Sequence, residues 1–329
     1  MLVGMLRARI AATAAYRAGS PRSTRELAEA SAQTRPLGEI EAMIGIQSRH
    51  FSDPEDTVAS QGAKAVQLAL DKAGLAPRDV KRLILTNSTG FDMMCPATAN
   101  AVCDILGMDG TCGCVDMNNA CVGFLNGLDY AARLVHTGIA PVVVVSSEVG
   151  SKHIRPDDPR PYLIFADAAA AAVLTCPEPG SDVGFSATYF GNRGQYRESV
   201  VMRHACLTGQ RETLQFLKSG KDIAKLAVLG LRQVADDVFA QSGLGWNDVD
   251  WIVPHQPNGT MLQDIAELFG IDQARMVPVV HFIGNVGSCS TAYGLAELYA
   301  TRDVRPGQKV LLIGVGAGLS YGALLYHAG

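Results

Sequence analysis

Val115-Asp-Met-Asn-Asn-Ala-Cys121-Val-Gly-Phe-Leu-Asn-Gly-Leu-Asp-Tyr-Ala-Ala-Arg-Leu-Val-His136 is the stretch on which the reading of this chain turns. A β-prone start, two asparagines and a small residue lead into a cysteine. Behind it Phe124, Leu125, Leu128, Ala131, Ala132 and Val135 recur at three- and four-residue steps, the apolar stripe of a helix. Asn118 and Asn119 read as its caps, which predicts Cys121 in the first turn of a largely buried helix. There unpaired N–H groups and the positive dipole end favour a thiolate. Such surroundings can lower a cysteine pKa from about 8.5 to roughly 3.5–7.5. A lone cysteine is more often simply buried, so a catalytic reading needs partners from elsewhere in the chain.

The 329 residues are 48% hydrophobic and 18% charged, with 34 glycines, a composition that fits a compact α/β protein of two ordinary domains and argues against disorder. A net charge of −4 gives no support to nucleic-acid binding by bulk charge. No apolar run is long enough to span a bilayer. Arg7, Arg9 and Arg17 interrupt the apolar start, against a signal peptide, so the cytoplasm is the expected compartment. Eight cysteines, at 95, 103, 112, 114, 121, 176, 206 and 289, show neither zinc spacing nor a disulfide framework. Cys112-Gly-Cys114 reads as loop residues beside a strand, in a reduced protein.

Periodicity predicts strands at 9–14, 83–87, 111–116 and 141–147, the last nearly all valine and so covered on both faces. Helices are predicted at 23–31, 60–73 and 96–106, and a small-residue run at 165–174 leads into another strand. In the 60–73 helix Ala63, Val66, Leu68 and Leu70 are the candidate core residues, with Gly74 as its stop. The second half repeats the plan. Ala73-Gly-Leu-Ala-Pro-Arg-Asp-Val80 matches Ser242-Gly-Leu-Gly-Trp-Asn-Asp-Val249 at an offset of 169, and the Cys121 helix with its valine strand matches the Cys289 helix and Lys309–Gly314 at 168. Two matches in order at almost one spacing indicate duplicated strand–helix units. The boundary falls at Cys176-Pro-Glu-Pro-Gly-Ser, giving halves 1–176 and 177–329.

If duplicated halves pack about a pseudo-twofold axis, their C-terminal strand ends and helix N-termini meet, where open α/β sheets place their sites. Cys121 lies there in the first half. In the second, Trp251–Val253 runs into Pro254-His255-Gln256-Pro257-Asn258, and Gly284-Asn285-Val-Gly leads into the Cys289 helix. Singly, His255 reads as a structural histidine and Asn285 as a cap; together with Cys121 at matched ends they read as a site.

The motifs Asn-Asn-Ala-Cys121, Pro-His255-Gln-Pro-Asn258, Gly-Asn285-Val-Gly-Ser and Gly314-Val-Gly-Ala-Gly-Leu-Ser-Tyr-Gly322 resemble those of the 3-oxoacyl-(acyl carrier protein) synthase III family of the thiolase superfamily, in order over nearly the whole chain. The resemblance implies a five-layered αβαβα fold of two related halves, a homodimer, and a Cys121–His255–Asn285 triad for ping-pong Claisen chemistry. It implies an oxyanion hole from the backbone N–H groups of Cys121 and Ala317, and thioester substrates with no metal or organic cofactor. Substrate or pantetheine contacts are implied at Asn258, Gly220 and Arg160. An acyl group would load on Cys121; decarboxylation of a malonyl-type thioester would then develop an enolate that His255 and Asn285 stabilise.

Departures from the family pattern are informative. Glu39 and Met43 stand where relatives that use coenzyme A carry a tryptophan and an arginine, which points either to an acyl carrier protein as donor or to coenzyme A bound in a different way, the substrates being thioesters of phosphopantetheine or of coenzyme A. Lys218, Lys221 and Lys225 share one side of a predicted helix and are the candidate docking face for that acidic partner. The chain also resembles head-to-head condensing enzymes of olefin biosynthesis, but Cys95 replaces their glutamate before Pro96. Met93, Met94 and Cys95 are read instead either as lining the partner subunit's acyl pocket or as plain packing at the dimer interface. Plain acyl transfer and head-to-head condensation are the alternatives to the decarboxylative route. A papain-type hydrolase is disfavoured because its cysteine signature is absent.

Overall fold

The structure, a computed structural model, describes residues 4–210 and 212–329. Its strands are β1 (Arg9–Tyr16), β2 (Ser20–Ser23), β3 (Ser48–Phe51), β4 (Arg82–Thr86), β5 (Gly113–Met117), β6 (Val142–Val149), β7 (Asp167–Thr175), β8 (Gly184–Asn192), β9 (Val200–Val201), β10 (Gln215–Phe216), β11 (Trp251–Pro254), β12 (Lys309–Gly316) and β13 (Ser320–His327). The first large sheet has the order β1-β7-β6-β4-β5 and the second β8-β13-β12-β11. In both, two antiparallel pairings are followed by a parallel one, and the first sheet adds the parallel edge strand β5. One topology therefore occurs twice, the second time without the extra edge strand.

Helices complete five layers. Gly123–His136 and Cys289–Thr301 lie between the sheets, in a shared core with inward residues such as Val142, Val144, Val310 and Leu312. Val58–Ala73 and Thr98–Ile105 cover the outer face of the first sheet. Gly220–Ser242 and Gly259–Phe269 cover the second. This is the thiolase-like αβαβα architecture that the motifs imply. The central helices approach the sheets closely through glycine: a Cβ at Gly127 would lie 2.7 Å from Val144 Cγ1, and one at Gly294 3.0 Å from Val253 Cγ1. No helix among the described residues is long and apolar enough to cross a membrane.

Local chemistry explains most element ends. Helix Val58–Ala73 starts in a capping box between Thr57 and Ser60, and helix Thr24–Ala30 in one between Ser23 and Glu26. Helix Val58–Ala73 stops at Gly74 and helix Gly220–Ser242 at Gly243, with φ of +67° and +70°, a left-handed conformation that glycine adopts without a Cβ penalty. The two halves thus share even this stop. The β6 valines are buried on both faces, as their unbroken run predicts.

Three readings need correction. Leu68 is 42% exposed, while Ala63, Val66 and Leu70 are buried; Val66 and Leu70 are one turn apart on the same face, and Leu68, two residues from each, cannot share it. Cys114 belongs to β5 rather than to a loop, paired opposite Leu83. The helix behind Cys121 begins only at Gly123, and neither Asn118 nor Asn119 caps it. Ala120 has φ +45°, so the chain makes a tight left-handed turn just before the cysteine. Asn118 Oδ1 accepts the Ala120 N–H at 3.0 Å, and Asn119 Nδ2 donates to Asn126 Oδ1 at 2.7 Å.

Leu128, fully buried in the central layer, should cost about 2–5 kcal/mol when cut to alanine. Leu68→Ala should stay within about 0.5 kcal/mol of the parent. Denaturant titrations of both variants measure the difference, and equal losses would contradict the layer assignment.

Candidate active site

The turn at Ala120 delivers Cys121 to the end of the second sheet's central strand. Gly316, the last residue of β12, packs against it: a Cβ there would stand 2.9 Å from the Cys121 amide nitrogen and 3.3 Å from its Cβ. Only glycine permits that approach. It brings the backbone N–H of Ala317 within hydrogen-bonding reach of the Cys121 thiol, alongside the N–H of Cys121 itself.

His255 follows β11 and is fixed by its backbone, whose N–H donates to the Ile313 carbonyl at 2.8 Å. The next residue, Gln256, is fully buried and fastens the turn. Its Nε2 donates to the Val277 carbonyl at 2.8 Å, its Oε1 accepts from Val279 N and Val280 N at 2.8 and 3.0 Å, and its N–H donates to Ser290 Oγ at 2.9 Å. Asn285 is held to the first half: its N–H donates to the Ile164 carbonyl at 2.9 Å and its carbonyl accepts from Ala166 N at 3.0 Å. Asn285 Oδ1 accepts the Gly287 N–H at 3.0 Å, so the amide's donor nitrogen is the end left for the cavity.

Cys121, His255 and Asn285 line one cavity, with Ile223, Leu226 and Met261 among its apolar walls. A second chamber, lined by Ser88, Thr89, Met202 and Leu214, reaches the same cysteine. Cys121, Phe165, Val200 and Ala317 are walls of both. A group attached to the sulfur therefore has one space to occupy while a second molecule enters through the other.

The electrostatics differ from the sequence expectation. Burial pushes the Cys121 thiol up to about 12, assisted by the nearby Glu148 charge and only partly offset by the two backbone N–H groups. The residue as a whole is partly exposed, yet its surroundings are dense enough that desolvation is the largest influence on its protonation. The expected lowering is overturned by burial, which outweighs the donors at the sulfur. Burial drives His255 down to about 4, and its Nδ1 finds no hydrogen-bond partner among the described residues. At neutral pH the resting site is a thiol beside an uncharged imidazole.

Glu148 is the functional-site neighbour that the motifs did not reveal. It is 1% exposed, and burial raises it to about 7 despite several donors on its carboxylate. The signal was the lone charge at the end of Val142-Val-Val-Val-Ser-Ser-Glu148-Val149, a strand buried on both faces, where an ionisable group needs partners.

The remaining sequence candidates surround the site. Lys221 and Lys225 are exposed on the first turns of helix Gly220–Ser242, whose Ile223 and Leu226 line the cavity, but Lys218 precedes the Ser219 cap, so it is exposed beside the helix and does not share the helix face that the spacing predicts. Gly220 opens that helix, and Asn258 caps the next one, its Oδ1 accepting from Met261 N at 2.8 Å. Neither lines the cavity, but each begins an element that does. Arg160 lies 5.0 Å over the Phe216 ring and donates from Nη2 to the Lys218 carbonyl at 2.8 Å, so it braces a cavity wall. Met93, Met94 and Cys95 are exposed and line neither chamber of their own chain.

Comparison with known proteins places this arrangement. The 3-oxoacyl-[acyl-carrier-protein] synthase III family model matches residues 115–194, and the model of that family's C-terminal region matches 239–328. The chain belongs to the ketosynthase III family of the thiolase superfamily and is a condensing enzyme of that type. It is 29% identical over 305 residues to the β-ketoacyl-[acyl-carrier-protein] synthase III of Escherichia coli strain K12, covering 89% of this chain and 95% of that one. It is similar to the crystal structure of 3-oxoacyl-[acyl-carrier-protein] synthase III from Aquifex aeolicus VF5, with TM-score 0.88, 26% identity, and coverage of 97% and 99%. The priming β-ketosynthase of a polyketide biosynthetic pathway gives TM-score 0.89 at 28% identity, covering 98% of this chain and 96% of that one.

A thiol held near 12 makes its thiolate fraction climb through the whole working range. The iodoacetamide alkylation rate of Cys121, followed by mass spectrometry, should therefore rise about tenfold per pH unit from pH 7 to 10 without levelling. A plateau below pH 8 would show a thiol acidified in the resting enzyme.

Proposed function

We propose that this condensing enzyme loads an acyl group on Cys121 and extends it by decarboxylative Claisen condensation with a malonyl-type thioester, carried by an acyl carrier protein, to give a 3-oxoacyl thioester. The observation that carries the reading is the single cavity in which Cys121 meets His255 and Asn285, with two backbone N–H groups at the sulfur.

In the first half-reaction Sγ attacks the acyl carbonyl, whose oxygen moves toward the N–H groups of Cys121 and Ala317. The thiol proton passes by way of His255 to the departing thiol as its C–S bond breaks. A neutral imidazole suits that relay, because it can accept and release a proton without remaining charged in a desolvated cavity. In the second, the bond from the malonyl thioester's α-carbon to its carboxylate breaks and carbon dioxide leaves. The electron pair moves onto the thioester oxygen, where Nε2–H of His255 and Nδ2–H of Asn285 donate to it. The enolate carbon then attacks the acyl carbonyl, and Cys121 departs as a thiolate that takes up a proton.

The surroundings supply the partners. Lys218, Lys221 and Lys225, at the rim above Ile223 and Leu226, are placed to meet an acidic carrier as its pantetheine arm enters past Gly220, Asn258 and the wall braced by Arg160. A second copy of the chain would cover β5, a sheet edge with exposed Val115, and the exposed Ile105 of the helix packed on it. Met93, Met94 and Cys95 would then reach toward the partner's acyl chamber. Cys95 brings no carboxylate base, which favours decarboxylation over proton abstraction as the source of the carbanion.

Incubation with acyl thioesters should give a mass adduct on Cys121 that disappears only when malonyl carrier is added; consumption by other acceptors alone would assign plain transfer. Asn285→Ala should load at close to the parent rate yet condense about 10²–10³-fold more slowly. Charge reversal at Lys221 and Lys225 together should raise KM for the carrier-bound substrate about tenfold at low salt with little change in kcat. An unchanged KM would remove those lysines from the docking face.

A further inference from the structure

The carboxylate of Glu148 ties together three segments that the sequence keeps far apart. Oε1 accepts from Ser288 N at 3.0 Å, from Ser288 Oγ at 2.6 Å and from Ser88 N at 2.8 Å, and Oε2 accepts from Thr89 Oγ1 at 3.3 Å. Ser288 Oγ is also 2.6 Å from Ser146 Oγ, so the cluster is anchored in β6 at two points. On one side it holds the 88–89 loop, a wall of the second chamber. On the other it holds the turn that follows Asn285. That turn has no slack: a Cβ at Gly287 would lie 2.1 Å from Ser88 Oγ and 2.9 Å from Glu148 Oε1. Gly287 is also the residue whose N–H binds Asn285 Oδ1 and so sets which way the amide faces.

We propose that Glu148 is a positioning residue for the condensation step: through Gly287 and Ser288 it fixes the Asn285 amide, and the second half-reaction depends on it while acyl loading does not. The separation follows from the geometry. The two N–H groups that serve loading belong to Cys121 and Ala317, on turns that make no hydrogen bond to Glu148 among those described. The donor that serves the enolate belongs to Asn285, two residues from the Gly287 contact. Glu148 lines neither chamber, and its charge reaches Cys121 only through space, where it disfavours the thiolate, so removing it takes nothing from acyl loading.

The inference rests on the condensing mechanism proposed above, and its test separates the two. With a short-chain acyl thioester, Glu148→Ala should form the Cys121 adduct within about threefold of the parent rate. Its consumption of that adduct with malonyl carrier should fall about 10²-fold, the effect of a misplacement of about 1 Å. Glu148→Gln, whose carbonyl can take the same three donors and whose amide can donate to Thr89, should recover at least a third of the condensation rate. Ser288→Ala, which removes the hydroxyl's contacts to Glu148 and Ser146 but keeps the Ser288 N–H on Glu148, should fall between them and supplies the test should Glu148→Ala not fold. Crystals of the variants give a readout independent of turnover: Asn285 displaced in Glu148→Ala or Ser288→Ala and in register in Glu148→Gln. Equal losses in both half-reactions, or an Asn285 that stays in place in the variants, overturn the proposal. A parent enzyme that loads Cys121 but never uses malonyl carrier overturns the condensing mechanism instead, and the crystallographic comparison still decides the clamp.

Discussion

The two central helices packed between the sheets are the constraint on which the rest of this molecule depends. Phe124, Leu125 and Leu128 of one and Cys289, Leu295 and Leu298 of the other share a single core with both sheets. Once that layer closes, the ends of β5, β11 and β12 have nowhere to point except toward one another. The cysteine of one half and the histidine and asparagine of the other then become neighbours as a result of core packing. Little local stabilisation is needed to bring them together, and local bonds such as those of Gln256 are left to set orientation.

Orientation matters because the site works with uncharged groups. Desolvation holds the thiol protonated and the imidazole neutral, and in such surroundings a fixed N–H is worth more than in water. The same desolvation makes a nearby buried carboxylate costly unless it is well partnered. Glu148 meets that condition by collecting backbone and hydroxyl donors, and the network that satisfies it also joins the two halves. Stability and alignment are served by one set of bonds.

Much of this was legible in the sequence. The valine run of β6, the repeated Gly-Leu stop at Gly74 and Gly243, and the cysteine stretch carried enough periodicity and turn chemistry to give two similar α/β halves, and four motifs gave the family. What the sequence hid was dihedral and solvational. Nothing in Asn-Asn-Ala-Cys announces that Ala120 takes a left-handed φ, so a cap at Asn119 starts the helix three residues before Gly123, and the lowering expected at Cys121 is reversed by burial. Leu68 was drawn into the core by its hydrophobicity although its step from Val66 and Leu70 puts it on another face. The role of Glu148 depends on donors about 60 and 140 residues away, a separation at which no spacing rule operates.

The alanine run of β7 has a consequence for how this protein can vary. Ala168, Ala170 and Ala172 touch the central layer, while Ala169 and Ala171 touch the outer helices of the first half. A single added methylene on either side would push against a whole helix, at a cost of about 1–3 kcal/mol. The strand is thus a shim of fixed thickness: loops at the chambers and rims can change without touching it, but the spacing of the layers that aligns the two halves leaves almost no room for added volume.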